Sequence, residues 1–370
     1  MSRKILYLDN NATTTLDPLV LDEMLVIAKL GPLNPSSVHS LGRKARGYLE
    51  NSRERVAGFL DVSPKEIFFT SSGTESLNLL IKGSLLEKTS GHILSSNIEH
   101  AAVYQTMHNL EKKGFNVELL SPTQQGSISL EQVKASITSS TILVALSWVN
   151  GETGAKTDIP AIAELCQEKN IPLVVDGVAL MGKELFTIPE GITGMAFAGH
   201  KFHGPKIGFA YISKNAKISP LITGGHQEHG LRAGTEDLIN IAGLAKAVEL
   251  LNTYLPEATQ KMKKLRDLFE SELKNLMPIK INGSSPRICN VSNIYFIGKE
   301  AETLLFYLDR SGVFASHGSA CSSFALEPSR ILKNMGYPKE RVLGSIRFSL
   351  SRNTTEEEIE KTLSILKNAK

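Results

Sequence analysis

Short apolar runs alternate with longer amphipathic segments between about residues 65 and 215 of the chain. Runs such as EIFFT, TILVALSWV and IPLVVD are rich in β-branched and aromatic residues, whereas ESLNLLIKG carries its apolar residues at helical spacing. Strands separated by helical segments indicate βαβ units, which build parallel sheets. We therefore predict an α/β fold: a large domain with a mostly parallel central sheet flanked by helices.

A long helical pattern from Leu238 to Leu276 leads out of this region, with an interruption expected near Pro256. Beyond it, alternating segments such as CNVSNIYFIG and SIRFSLS predict a smaller C-terminal α/β domain. We place the large domain at residues 15–258, and residues 1–14 with 259–370 in the small domain. Thr354 and Glu357 have the spacing of a capping box that opens the last helix.

Composition excludes several classes of function. The 41 basic and 38 acidic side chains leave a net charge of +3, and no Lys/Arg block marks a nucleic-acid partner. No window approaches the roughly 18 apolar residues of a membrane helix. The 3 cysteines are too few for a disulfide framework or a zinc site, and His226 with His229 lacks a third metal ligand nearby. We expect a cytoplasmic protein without a metal, in a reducing compartment.

The segment TSSGTES, which contains Gly73 and Thr74, lies between a predicted strand and a predicted helix. Free N–H groups and the dipole at a helix start suit a phosphate group. Ordinary helix capping by Ser or Thr explains the same residues when the segment is considered alone.

Several reactive groups follow other predicted strands. Asp176 ends an apolar strand, where ligands of parallel sheets gather, although it could equally cap the next turn. Lys201 follows His200 in FAGHKFHGPKIGF. An amine that forms a Schiff base must be available in neutral form, which desolvation and neighbouring cations favour. A solvated surface lysine is the alternative.

Two further positions lie in the C-terminal part of the chain. Cys321 lies among small residues in GSACSS and lacks the helical apolar spacing of a core position. We weigh a reactive thiol and a buried structural cysteine equally at this position. Arg347 in SIRFSLSR could bind a carboxylate with both guanidinium arms, or pair with the acidic last helix.

These segments, taken in order, match one family along nearly the whole chain. The sequence resembles the cysteine desulfurases, which are pyridoxal-phosphate enzymes of the class V aminotransferase group with fold type I. The matching segments are YLDNNATT, NPSSVHSLGRKAR, TSSGTES, IEHAAV, NGETG, VVDG, GHKFHGPK, RAGTED, GSACSS and IRFSLSRNTTEEEI. Their common order makes the resemblance specific, although no single motif is.

The resemblance implies a binding site for pyridoxal 5′-phosphate. Lys201 would form the Schiff base with the cofactor aldehyde, and Asp176 would pair with the pyridine nitrogen. His100 would stack on the ring and take part in proton transfer. The phosphate would be bound by three residues of one subunit and one of the other: Gly73, Thr74, His200 and Thr235 of the partner subunit. The protein would therefore be a homodimer.

The resemblance also implies the substrate and the reaction. Asn150 would contact the polar edge of the cofactor or substrate, and Arg347 would hold the carboxylate of L-cysteine. Cys321 would attack the substrate sulfur, leaving alanine and an enzyme persulfide. The sequence around Cys321 is similar to that of the subgroup whose long mobile loop passes sulfur to acceptor proteins, including iron–sulfur scaffold proteins.

Three positions depart from the usual family pattern. Ala179 replaces a glutamine that bonds the ring hydroxyl, Ala198 replaces a phosphate-binding serine, and Gly151 replaces an asparagine. The first two changes predict weaker cofactor binding, since a hydrogen bond to a charged group contributes about 1.5–3 kcal/mol. A weakly active or non-catalytic homologue that acts as a binding partner in sulfur-cluster assembly, and a selenocysteine lyase, are the alternative functions.

Overall fold

The computed structural model of this protein describes most of the chain. The described residues are 5–85, 87–122, 124–284, 286–318 and 328–369. Cys321 therefore lies outside the described residues. None of the helices in these ranges is both long and apolar enough to cross a lipid bilayer.

Strands and helices alternate along the chain, as the hydrophobic pattern predicts. The strands are β1 (Leu6–Tyr7), β2 (Ile67–Thr70), β3 (His92–Ser96), β4 (Asn116–Leu120), β5 (Thr141–Ser147), β6 (Leu173–Asp176), β7 (Ile192–Ala198), β8 (Gly208–Ile212), β9 (Ile279–Ile281), β10 (Val291–Phe296), β11 (Val313–Phe314) and β12 (Ser345–Ser349). The helices are α1 (Pro18–Ala28), α2 (Ser40–Leu60), α3 (Gly73–Gly83), α4 (Ala101–Lys112), α5 (Leu130–Ser136), α6 (Ile159–Glu168), α7 (Leu238–Leu276), α8 (Ala301–Arg310), α9 (Arg330–Asn334), α10 (Lys339–Leu343) and α11 (Glu356–Lys367).

The largest sheet has 7 strands in the order β2-β8-β7-β6-β5-β3-β4. Strand β8 is antiparallel to both of its neighbours, and the other pairings are parallel. This confirms the mostly parallel central sheet. Because β6 and β5 are neighbours with β3 next to them, residues that follow these strands meet at one edge of the sheet.

Both faces of this sheet are covered. In β5, Val144 and Leu146 belong to one hydrophobic cluster, whereas Leu143 and Ala145 belong to another on the opposite face. Successive side chains of a strand point to opposite faces, so a strand buried on both sides has a continuous apolar sequence. TILVALS has this pattern, which explains why no polar alternation appears in it.

The C-terminal part contains a second sheet, with the antiparallel order β12-β10-β9. Helix α7 contributes to two hydrophobic clusters: Leu238 through Leu255 pack with the large sheet, and Ala258 through Leu273 pack with the second. Strand β1 pairs with β11 and so returns the N-terminus to the C-terminal part. We propose the division at residue 258 as the boundary between the two domains.

Two local predictions are wrong. Helix α7 continues through Pro256. Residues 252–254 and Pro256 are exposed, so water can bond the backbone groups that proline leaves unpaired, while buried Leu255 and Ala258 hold the helix in place. The capping box of α11 consists of Thr355 and Glu358, because buried Thr354 instead accepts a hydrogen bond from the backbone N–H of Ser351.

Candidate active site

One cavity of about 230 Å³ opens at the carboxyl ends of β3, β5, β6 and β7. The predicted residues that line it are Gly73, Thr74, His100, Asn150, Asp176, His200, Lys201 and Arg347. Residues from the N-terminal segment and from the C-terminal part complete the wall. The cavity therefore lies where the two parts of the chain meet, a common place for small-molecule sites.

Lys201 lies in a short 3₁₀ turn that follows β7. Its Nζ donates hydrogen bonds to the main-chain carbonyls of Asn11 (2.5 Å) and Ala12 (2.9 Å). The Lys201 carbonyl in turn accepts a hydrogen bond of 2.8 Å from Nζ of Lys183, which is buried. Backbone carbonyls of residues 11 and 12 thus hold this amine at the cavity wall, and the side chain of Lys183 holds the turn that carries it.

Asp176 is the last residue of β6 and is 7% exposed. Burial raises the pKa of its carboxyl, and the nearby charges of His100 and Lys201 counteract that shift. One carboxylate oxygen accepts the backbone N–H of Val178 at 3.0 Å. The net effect is a raised pKa, so the ionised form of this carboxyl is only partly stabilised by its neighbours. A cationic ligand atom placed next to it would stabilise that form further.

His100 is the N-cap of α4, and its Nδ1 accepts a hydrogen bond of 3.1 Å from the backbone N–H of Ala102. In a neutral ring this bond leaves the proton on Nε2. His100 therefore has a fixed ring position and a defined site for proton transfer at the cavity.

The start of α3 forms one end of the cavity. Ser72 caps the helix by accepting the backbone N–H of Glu75, while Gly73 and Thr74 line the cavity. A Cβ on Gly73 would lie 3.0 Å from Cγ2 of Val178 and 3.3 Å from Cβ of Ala198, so a larger residue here would have to displace these neighbours by a few tenths of an ångström. The first N–H groups of a helix lack intrahelical partners, which makes this end suitable for an anion.

His200 also lines the cavity. Its Nδ1 is 3.2 Å from Oγ1 of Thr13. Burial, together with the charges of Lys201 and Lys206, lowers the pKa of His200 to about 4. The ring is therefore neutral near pH 7, where it can donate or accept one hydrogen bond without adding charge.

Asn150 and Arg347 are both buried, and both are partly engaged within the protein. Nδ2 of Asn150 donates to the carbonyl of Ile98 at 3.0 Å. Arg347 forms an ion pair of 2.6 Å with Asp9 and donates to the carbonyl of Gly151. Its Nε has no hydrogen-bond partner among the described residues, so one guanidinium N–H is available for a further acceptor.

Two predicted residues are not seen in this cavity. Thr235 is exposed and is absent from the cavity lining formed by the described residues. Cys321 lies outside the described part of the chain, which resumes at Pro328 and reaches the cavity at Arg330.

Sequence reasoning missed two buried carboxyl groups in the cavity. Glu99 accepts hydrogen bonds from the hydroxyls of Ser96 (2.6 Å) and Ser147, and burial raises its pKa to about 7. Glu152 accepts a hydrogen bond from Ser329, and burial raises its pKa as well. Because glutamate is seldom buried, the hydrophobic pattern of the sequence gave no reason to place either residue in the interior of the protein.

Arg330 was also missed. Its guanidinium donates to the carbonyls of Asn97 and Glu99 and lies 3.8 Å from the ring centre of Tyr104. These contacts hold a cation at the cavity wall, close to the two buried carboxyls. The only sequence signal was its position a few residues after Cys321.

Comparisons with known proteins agree with this geometry. The family model described as aminotransferase class-V matches residues 6–362. A protein named cysteine desulfurase IscS, from Clostridium botulinum, is 42% identical over 98% of this chain and 94% of its own length. A cysteine desulfurase from Nostoc sp. is 39% identical over 98% of this chain and 92% of its own length.

Solved structures give the same result. A NifS-like protein superposes with a TM-score of 0.92 at 36% identity and covers 98% of both chains. The structure of SspA in complex with cysteine has a TM-score of 0.84 at 31% identity, over 94% of this chain and 99% of the other. This protein therefore belongs to the class-V aminotransferase family, and within that family to the cysteine desulfurases. The resemblance found in the motifs is confirmed.

Proposed function

We propose that this protein is a pyridoxal-phosphate-dependent cysteine desulfurase that moves the sulfur of L-cysteine to Cys321 and releases L-alanine. The observation that carries the proposal is that Lys201 and Asp176 line one cavity, at the ends of the neighbouring strands β7 and β6. An amine held beside a buried carboxylate is the pair that an aldehyde-bearing pyridine cofactor requires.

The residues of the cavity fit this cofactor. Lys201 offers a primary amine for the aldehyde, Asp176 a buried carboxylate for the ring nitrogen, and the glycine-containing start of α3 a place for the phosphate. Neutral His200 adds a hydrogen-bonding group at that end. Bound pyridoxal phosphate supplies a conjugated ring that accepts and returns the electrons of the substrate carbon.

The chain's own residues orient the substrate and move protons. The carboxylate of L-cysteine binds Arg347, whose position is fixed by Asp9. His100 carries or accepts a proton at Nε2, because Ala102 occupies Nδ1. Lys201 accepts and returns a proton through Nζ once its amine is free.

Cys321 receives the sulfur as a thiolate. A new S–S bond forms between Cys321 and the substrate sulfur, while the substrate's C–S bond breaks and its electron pair stays with carbon. That carbon gains the proton of the substrate thiol and becomes the methyl group of alanine. The product on the protein is a persulfide anion, which passes sulfur to an acceptor such as an iron–sulfur scaffold protein in the reducing cytoplasm.

The functional unit is a homodimer in which each cavity is completed by Thr235 of the partner subunit. Support comes from the exposure of Thr235 away from the cavity lining of its own chain. A two-fold axis makes such an exchange reciprocal, so both sites are completed in the same way.

The test uses purified full-length protein loaded with pyridoxal phosphate. We expect a visible absorbance band from the bound cofactor, and sulfide and alanine in equal amounts when L-cysteine and a reductant are added. Lys201→Ala removes the covalently bound cofactor, whereas Cys321→Ala keeps the absorbance and stops sulfide release. A protein that stays colourless with added cofactor, or releases sulfide equally well with Cys321→Ala, contradicts the proposal.

A further inference from the structure

Residues 219–237, named the Thr235 loop here, connect the region after β8 to α7 and carry several contacts that the proposed reaction does not use. The main contact is an ion pair between Arg53 of α2 and Glu228 of the loop. Nη1 and Nη2 of Arg53 bind the two carboxylate oxygens of Glu228 at 2.9 and 2.7 Å. The exposed fractions of the two side chains are 2% and 1%. A bidentate, fully buried pair of this kind restricts the loop in both distance and orientation.

The ion pair also completes the edge of the large sheet. Strand β2 is an edge strand that pairs only with β8. On its open side, the carbonyl of Ile67 accepts a hydrogen bond of 2.6 Å from Arg53, and the N–H of Phe69 donates one of 2.7 Å to Glu228. The two side chains thus satisfy the backbone groups that a further strand would otherwise pair. The loop is thereby attached to the edge of the large sheet.

The backbone at this point has an uncommon conformation. Glu228, His229 and Gly230 have φ angles of 46°, 54° and 84°, so three consecutive residues are left-handed and two of them are not glycine. Such residues persist only where the surrounding contacts hold them, and they concentrate at functional positions. The ring of His229 packs edge-on against Phe68 at 5.9 Å and adds to this hold.

A second anchor ties the loop to the cavity. Arg232 forms an ion pair of 2.9 Å with Glu75, which lies in the first turn of α3. The same helix start lines the cavity at the proposed phosphate end. The loop therefore keeps a fixed position relative to the end of the site that binds an anion.

The surface near Thr235 is exposed and apolar. Leu221, Ile222 and Ile239 are 36%, 44% and 38% exposed and lie in the loop or in the first turn of α7. A second copy of the chain, which the proposed homodimer already requires, would cover these side chains. In a two-fold dimer each loop then reaches across to the other cavity.

We propose that Glu228, held by Arg53, is a positioning residue for the cavity of the other subunit. It fixes the loop so that the hydroxyl of Thr235 meets the cofactor phosphate bound in the partner subunit. This inference rests on the proposed function. It makes a directional claim, because a defect in the loop of one subunit lowers cofactor binding in the other one.

Mixed dimers of the full-length chain test this direction. Two differently tagged versions are produced together, one with Glu228→Gln and one unchanged, and the mixed dimer is selected through both tags. Pyridoxal phosphate is added over a range of concentrations, and borohydride reduction then links bound cofactor to Lys201. The masses of the two separated subunits report which one held the cofactor, without any assay of activity.

We expect the unchanged subunit to lose affinity, since it receives the defective loop. Its apparent dissociation constant for the cofactor should rise roughly 10- to 100-fold, the effect of losing one hydrogen bond to a charged group. The subunit with Glu228→Gln should bind normally. Loss of cofactor from the variant subunit, or from neither subunit, overturns the inference.

Further variants separate positioning from folding. Glu228→Gln removes the bidentate partner of buried Arg53, whose other acidic neighbour is Glu50 at 3.3 Å from Nε. We therefore add His229→Val, which retains the ion pair but places a β-branched residue where φ is positive. It should lower cofactor affinity in the unchanged subunit in the same way as Glu228→Gln. His229→Asn also lacks the imidazole but tolerates this conformation, and it should bind cofactor in both subunits. Glu249→Gln is the matched charge control, because it removes an ion pair with Arg55 of the same helix α2 without touching the loop.

The unchanged protein distinguishes the two proposals. If its Lys201 carries no cofactor after reduction, the proposed function fails. If Lys201 carries the cofactor but the protein is a monomer by its native mass, only the dimer and the present inference fail.

Discussion

The side-chain amine of Lys183 is bonded to the main-chain carbonyl of Lys201 at 2.8 Å, although Lys183 itself is 2% exposed. Burial lowers the pKa of Lys183 to about 8, and the charges of Lys201 and Arg352 add to this effect. A buried lysine of this kind costs stability whenever it is charged. Lys183 nevertheless lies at the turn that carries Lys201, the proposed cofactor amine, and its hydrogen bond to the Lys201 carbonyl holds that turn in place.

The first prediction follows from this lowered pKa. Between about pH 8 and 10.5 the unfolded chain keeps a proton on Lys183 that the folded chain has released, so the free energy of unfolding contributed by this group rises with pH. The difference in unfolding free energy between the parent and Lys183→Met should increase across this window by at most about 3 kcal/mol. Urea denaturation at several pH values measures it. Lys263→Met, at an exposed lysine, should show a constant difference, and an equally constant difference for Lys183→Met would contradict the prediction.

The second prediction concerns the close approach at Gly73. In Gly73→Ala the new Cβ meets Val178 and Ala198 at 3.0 and 3.3 Å, and relieving such overpacking costs about 1–3 kcal/mol. The start of α3 must move, so the dissociation constant of the cofactor should rise roughly tenfold or more. Cofactor titration by absorbance measures this change.

Gly47→Ala is the control for Gly73→Ala. It lies within α2, and its Cβ would have no neighbour within 4 Å. This change should raise stability by about 0.5–1 kcal/mol, because alanine favours a helix, and leave cofactor affinity unchanged. Equal losses of affinity in both variants would contradict the role assigned to Gly73.

The sequence predicts the central sheet well because its strands are buried on both faces. Such strands appear as continuous apolar runs, as TILVALS shows. It also locates Asp176, Lys201 and the start of α3, since each lies at or within three residues of the end of a strand that is visible in the pattern. The continuation of α7 through Pro256 was not predictable, because it depends on which side of the helix faces solvent.

The remaining parts of the site were hidden for a related reason. Glu99 and Glu152 are buried acids whose partners, Ser147 and Ser329, lie far from them in the chain. Only the folded structure brings these groups together, and their composition is that of ordinary surface residues. The pairing of Arg53 with Glu228, 175 positions apart, is hidden in the same way.

The third prediction tests the effect of Ala179, which lines the cavity next to Gly151. Ala179→Gln restores a hydrogen-bonding side chain and should lower the dissociation constant of the cofactor roughly tenfold, as expected for one additional hydrogen bond to a charged group. Ala198→Ser should act in the same direction at the phosphate end. Ala179→Met is the control, because methionine is similar in length to glutamine but has no hydrogen-bond donor. An equal gain in cofactor affinity with Ala179→Met would show that better packing, and not a hydrogen bond, causes the effect.

The fourth prediction concerns the cysteines. Burial raises the pKa of Cys166 and of Cys289 to about 12, so very little thiolate is present at either residue near pH 7.5. Iodoacetamide under native conditions should therefore modify no residue other than Cys321 among the 3 cysteines. Mass spectrometry after digestion identifies the site. Cys321→Ala should stay unmodified until denaturant is added, and rapid native labelling of Cys166 or Cys289 would contradict their assigned burial.

The final prediction concerns how Arg347 is held for its proposed role, which is to bind the substrate carboxylate. Asp9→Asn removes the charge that pairs with Arg347 at 2.6 Å but keeps a similar shape, so the guanidinium should stay in the cavity with a less defined orientation. We expect KM for L-cysteine to rise several-fold, with a smaller change in kcat, because orientation of the carboxylate belongs to binding.

Arg347→Lys keeps the charge but loses the planar pair of donors, and should raise KM further. Asp267→Asn removes an acid that pairs with Arg266 outside the cavity, and should leave KM unchanged. A lower kcat with an unchanged KM in Asp9→Asn would place Asp9 in the chemical step instead of in substrate binding.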